Sequence, residues 1–123
     1  MAKPKQLTYY ALQGIPHIRP GDNLGEIIYS AIHDNGLFLQ DGDVLILAQK
    51  IVSKSENRLV NLSTVTPSPK AIELALYLEK RPELVELILQ ESNEVVRTRP
   101  GTIIVEHKSG FICANAGIDH SNV

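Results

Sequence analysis

Several kinds of residue are scarce in this sequence. The 123 residues include one cysteine, one methionine and no tryptophan, and aromatic residues make up 5%. A single cysteine excludes an intramolecular disulfide framework and any cysteine metal cluster. Cys113 lies in the apolar run Phe111-Ile112-Cys113-Ala114 and reads as a small packing residue, not a reactive thiol. Few aromatics argue against a stacking platform for sugars or single-stranded nucleic acid. Positive charge is not in excess: 12 Lys and Arg against 14 Asp and Glu give a net charge of -2. No basic field is therefore present to recruit nucleic acid or an anionic membrane. No apolar run is long enough to span a bilayer, and the opening MAKPKQ has no apolar leader core. The expectation is a soluble, cytoplasmic protein with neither nucleic acid nor membrane as partner. The glycine-rich dinucleotide fingerprint, the Walker A loop, the zinc-protease HExxH and the GxSxG elbow are all missing. A nucleotide, if bound, is held by a less common route.

What remains is an ordinary globular composition, 43% hydrophobic and 21% charged. The length fits one domain, residues 1–123, large enough to bury a core. Leu7 to Leu12 is β-prone and runs into a loop with two glycines and two prolines, QGIPHIRPGD. Asn23 followed three residues later by Glu26 reads as a capping box. Leu24, Ile27, Ile28, Ala31 and Ile32 then recur at helical spacing up to Asn35-Gly36. Val44 to Ala48 is a continuous apolar run, the pattern of a strand covered on both faces. A short strand is expected at Leu59 to Leu62. Pro69 opens a helix to Glu79 with Ile72, Ala75, Leu76 and Leu78 inward, and Pro82 opens another with Leu84, Val85, Leu87, Ile88 and Leu89 apolar. Three strands close the chain, at Glu94 to Thr98, Thr102 to His107 and Gly110 to Ala114, joined by Pro100-Gly101 and Lys108-Ser109-Gly110. The fold class is α+β: a mixed or antiparallel sheet with about three helices, neither Rossmann nor P-loop.

Four places suggest chemistry. Asp119 follows Gly117-Ile118 just past the last strand, where a carboxylate suits a hard cation such as Mg²⁺ or Mn²⁺ and equally suits an Asx turn or a helix cap. Lys50 and Lys54 follow the buried run and can face a phosphate or water. Gln49 and Ser53 are polar neighbours that can bond a base, a phosphate or solvent. The loop Ile15-Pro16-His17-Ile18 can wall a ligand or simply stiffen a strand exit. His17, His33, His107 and His120 show no metal-ligand spacing, and Glu83, Glu86, Glu91 and Glu94 read as a solvated helix face and its exit. No catalytic residue is identified.

Longer strings carry a resemblance. GIPHIRPGDNLGEII, then QKIVSK and STVTPSP, then NAGIDHSNV resemble the coenzyme F420-0:L-glutamate ligases, from about Leu7 to Val123. The resemblance implies a GTP-dependent amide ligase adding L-glutamate to F420-0, and then γ-linked glutamates, through an acyl phosphate. It also implies Mg²⁺ or Mn²⁺ with K⁺, and an intertwined homodimer. Carried onto this chain, it makes Ile15, Pro16, His17, Ile18, Gln49, Lys50, Lys54 and Asn122 the GTP contacts and Asp119 a metal ligand. Family members continue beyond the NAGID motif to further metal ligands. The chain is therefore expected to be the N-terminal part of a longer ligase and inactive by itself.

Overall fold

The computed structural model describes residues 1–120, which fall into two units divided between Leu59 and Val60.

The first unit is built on two helices and long extended connections. The first helix, α1 (Leu24–Asp34), starts where the capping signal put it: the Asn23 Oδ1 accepts the Glu26 N–H at 3.2 Å. Ala31 and Ile32 are its buried residues, and Leu24, Ile27 and Ile28 are half-buried. The helix ends at Asn35-Gly36, where the Leu37 N–H bonds back to the Ile32 carbonyl at 3.0 Å. The second helix, α2 (Gln49–Ser55), stands where the sequence reading had the exit of a strand.

The predicted strands at Leu7–Leu12 and Val44–Ala48 belong to no ladder among the described residues. Val44 and Ile46 are 80% and 78% exposed, and Leu45 and Leu47 are 48% and 38% exposed. The two-residue alternation of an extended chain survives, but the covering on both faces does not. Apolar content alone makes no strand, because a strand also needs a partner for its N–H and C=O groups. Leu59–Leu62 is likewise not a strand: Leu62–Thr64 forms a 3₁₀ turn whose first amides Asn61 caps.

The second unit packs two helices on a three-stranded antiparallel sheet, which fixes the class as α+β. The third helix is α3 (Pro69–Leu78), with the Ser68 Oγ accepting the Ala71 N–H at 3.2 Å, and the fourth is α4 (Pro82–Gln90). Both start on proline at the first turn, where the missing N–H is no loss. Strands β1 (Ser92–Arg99), β2 (Thr102–His107) and β3 (Ile112–Ala114) lie in chain order, with Val105 opposite both Val95 and Cys113. Ile103 and Val105 point into the core with Ala71, Ala75, Leu78, Val85 and Ile88. Cys113 is half-buried against that core, as a packing residue would be. On α3 the inward row is 71, 75 and 78, so Ile72 and Leu76, expected inside, are 46% and 80% exposed. The helix is rolled by one position relative to the sequence reading, so alanine methyls pack against the partner elements.

Candidate functional site

The loop Ile15-Pro16-His17-Ile18 is held at both ends. Before it, the Asn35 side chain grips the Gln13 backbone twice: Asn35 Oδ1 accepts the Gln13 N–H at 3.1 Å, and Asn35 Nδ2 donates to the Gln13 carbonyl at 2.9 Å. The same amide nitrogen also donates to the Ala31 carbonyl at 2.7 Å, so the grip is part of the α1 terminus. After the loop, Arg19-Pro20-Gly21-Asp22 makes a tight turn with proline second and glycine third, and Gly21 at φ 87° supplies the positive φ that such a turn needs. The Asp22 carboxylate accepts the Arg19 N–H at 2.6 Å. The Gly21 N–H donates to the Ser55 carbonyl at 2.9 Å, which ties the turn to the last residue of α2.

Within the loop the four residues divide. Ile18 is buried, at 8% exposure, and anchors the loop. Ile15 is at the edge of exposure, and Pro16 and His17 are exposed. Ile15 and Ile18 share with Leu24, Ile27, Ile28 and Ile51 the lining of an apolar cleft of about 860 Å³ in this unit. His17, Gln49, Lys50 and Lys54 do not line it.

Helix α2 rearranges the second group of candidates. At about 100° per residue, Gln49, Lys50, Ser53 and Lys54 fall on one arc of roughly 140°, and Ile51, Val52 and Ser55 on the opposite one. Gln49–Ser53 and Lys50–Lys54 are thus neighbours one turn apart, a relation that a strand would not give. Gln49 and Lys50 are exposed, and Ser53 and Lys54 are half-buried. The helix closes on Asn57 at φ 53°, with the Asn57 N–H on the Lys54 carbonyl at 3.0 Å and the Arg58 N–H on the Ser53 carbonyl at 2.8 Å. The alternation of QKIVSKS, polar at 49, 50, 53 and 54 and apolar at 51 and 52, was the signal for a helix.

Asp119 belongs to the second unit. It is exposed and follows Ile118, which is half-buried against the core and fixes the chain direction there. Ahead of them Asn115, Ala116 and Gly117 take φ values of 54°, 53° and 71°, three consecutive left-handed residues in a 3₁₀ turn. Such residues normally occur singly, and for alanine the conformation costs about 1–2 kcal/mol. Ala116 is nevertheless 6% exposed and part of the core. The Asn115 Oδ1 is buried with no hydrogen-bond partner among the described residues, a cost of about 1–3 kcal/mol. The sequence reading saw only small residues and a turn here. Among the described residues no group of three or more His, Cys, Asp or Glu side chains could hold a metal ion. Asn122 lies outside the described residues.

Comparison with known proteins covers the same stretches. The family model for F420-0:Gamma-glutamyl ligase matches residues 14–123. The coenzyme F420:L-glutamate ligase of Methanothermobacter thermautotrophicus is 42% identical over 117 residues, 95% of this chain and 46% of that protein. The enzyme of the same name from Methanopyrus kandleri is 45% identical over 105 residues, 85% of this chain and 40% of the relative. The one from Archaeoglobus fulgidus is 40% identical over 118 residues, 96% of this chain and 45% of the relative. The chain thus spans less than half the length of each of these relatives.

Proposed function

The chain belongs to the F420-0:gamma-glutamyl ligase family, and from that membership we propose that it is the N-terminal, nucleotide-binding part of a ligase joining L-glutamate to coenzyme F420-0 with GTP as co-substrate. The observation that carries the nucleotide assignment is α2, which gathers Gln49, Lys50 and Lys54 on one arc, with the tethered Ile15–Ile18 loop joined to its end through Gly21.

The chemistry proceeds in two displacements. A carboxylate oxygen of F420-0 attacks the γ-phosphorus of GTP, the bond to the β-bridging oxygen breaks, and GDP leaves. The glutamate amine then attacks the acyl carbon, inorganic phosphate leaves with its electron pair, and the amine loses a proton. Charge builds on phosphoryl oxygens in the first step, and preplaced cations lower its barrier. Lys50 and Lys54 supply that charge in this reading. The Ile15–Ile18 loop walls the nucleotide, with Ile18 as its anchor and His17 as its exposed side chain. Repetition on the new terminal carboxylate gives the γ-linked tail.

Asp119 and Asn122 complete the proposal as one donor to a divalent cation, Mg²⁺ or Mn²⁺, and one nucleotide contact; K⁺ is the expected monovalent ion. The chain covers under half of its relatives, which supports the reading that the 123-residue chain alone does not turn over. A homodimer belongs to the same proposal. The exposed stretches 7–12 and 44–47, outside any ladder among the described residues, are the kind of edge a second copy covers.

The test is F420-0 elongation in the presence of GTP and L-glutamate, read by mass spectrometry, with the chain alone and with a longer protein carrying it. The longer protein extends F420-0, Lys54→Ala lowers kcat/KM for GTP, and Asp119→Ala abolishes the product. Full activity in both variants refutes the site assignment, and turnover by the chain alone refutes its inactivity. A glutamyl adduct on a different carboxylate acceptor keeps the ligase and replaces the substrate.

A further inference from the structure

We infer that Arg58 is a third phosphate-contacting cation of the α2 surface, an inference that rests on the nucleotide reading of that helix. It stands outside the helix in sequence, and the helix end brings it back. With Asn57 left-handed at φ 53°, the Arg58 N–H reaches the Ser53 carbonyl at 2.8 Å. A hydrogen bond to that carbonyl sets the Arg58 backbone at the C-terminal end of the polar arc that carries Lys50, Ser53 and Lys54, not beneath Ile51 and Val52.

The backbone therefore carries three cationic residues in sequence, Lys50 and Lys54 one turn apart on α2 and Arg58 at the helix end. Glu56 is the one acidic residue between Gln49 and Arg58, in a chain whose overall charge is -2. Positive charge is concentrated here against the average of the molecule. Arg58 is an exposed residue. Its chemistry differs from that of the lysines. An ammonium is a point charge, whereas a guanidinium presents a planar fork that matches two oxygens of one phosphate. A row of two ammoniums followed by one fork fits a chain of phosphates better than a single phosphate, so the ligand class is a nucleoside triphosphate or inorganic tripolyphosphate.

Truncating the side chain leaves the backbone N–H that closes α2, so Arg58→Ala removes the fork without removing the cap. The experiment is calorimetric titration of the chain with inorganic tripolyphosphate and with GTP, for wild type, Lys54→Ala, Arg58→Ala and Arg58→Lys, with far-UV circular dichroism to confirm the fold. Loss of one charge-assisted contact weakens binding about tenfold. The expected result is that loss in Arg58→Ala for both ligands, with Arg58→Lys retaining more affinity than Arg58→Ala. Equal affinity of wild type and Arg58→Ala, with Lys54→Ala weakened, overturns the role of Arg58 and leaves the reading of α2 standing. No binding by wild type overturns both. Should Arg58→Ala fail to fold, Arg58→Lys decides alone: affinity equal to wild type overturns the fork.

Discussion

Two alanines in the second unit are almost equally buried and differ in backbone handedness, and glycine substitution separates the two effects. Ala75 is 3% exposed in the right-handed helix α3; Ala116 is 6% exposed at φ 53°, ψ 27°. In Ala75→Gly a buried methyl is lost, about 0.8 kcal/mol, and a helix-interior glycine adds about 1 kcal/mol. The expected destabilisation is about 2 kcal/mol. In Ala116→Gly the same methyl term applies, and the freer unfolded chain adds about 0.4–1 kcal/mol. Against these, relief of the left-handed alanine returns about 1–2 kcal/mol. The sum lies near zero, within about 0.8 kcal/mol. Urea titrations followed by far-UV circular dichroism give both values from their midpoints, and shared errors cancel in the difference. Equal destabilisation by the two substitutions refutes the claim that Ala116 is held against its preference.

Two further outcomes follow from the geometry. Asn35→Ala removes two bonds to the Gln13 backbone and one to the Ala31 carbonyl. It destabilises the first unit by about 1–2 kcal/mol, and amide hydrogen exchange at residues 13–18 rises before exchange within α1; unchanged exchange there sinks the tether. For Glu86, Ser68 through its hydroxyl and its backbone N–H, and then the Gln90 amide, hold the carboxyl below the ordinary carboxylate range, opposed only by partial burial. A depressed folded value means that the stabilisation is full above the unfolded value, about 4.3, and is lost as pH falls through the folded one. Wild type therefore exceeds Glu86→Gln in urea midpoint at pH 7, and the gap narrows below roughly pH 4; a gap that widens in acid contradicts the assignment.

The second unit was the more legible part of the sequence because its elements are decided locally. Ser68-Pro69 and Pro82 mark helix starts, Pro100-Gly101 and Lys108-Ser109-Gly110 mark hairpins, and each element finds its partner within sixty residues of chain. What the pattern misjudged there was the roll of α3: Ala75 and Leu78 are inside as expected, but the small Ala71 packs where the larger Ile72 and Leu76 were expected. The first unit was less legible for a different reason. Val44–Leu47 carries a strand's composition, yet strand formation depends on a partner the sequence does not name, and none of the described residues provides one. QKIVSKS was misjudged through its neighbour, because the apolar run before it suggested that the extended chain continued. For the candidate site, the sequence supplies residue types, and the resemblance supplies the positions that the proposal uses. The geometry was not legible: the pairing of Lys50 with Lys54 needs the helix, the Asn35 grip joins residues 22 positions apart, and left-handedness at Ala116 has no compositional mark.

The turn at 115–117 has one consequence that reaches into chemical synthesis. At Ala116 the dihedrals, φ 53° and ψ 27°, are near those of a right-handed helical residue reflected in a mirror, so the chirality of the genetic code is the wrong one for this residue. A D-alanine at 116, installed by ligating synthetic peptide segments, sits in its own favoured basin with the backbone unchanged. Its methyl leaves in a different direction from the one the core now contacts. At this position the ribosome's alphabet offers a choice between a methyl in the core and a relaxed backbone, and only glycine is indifferent to the hand.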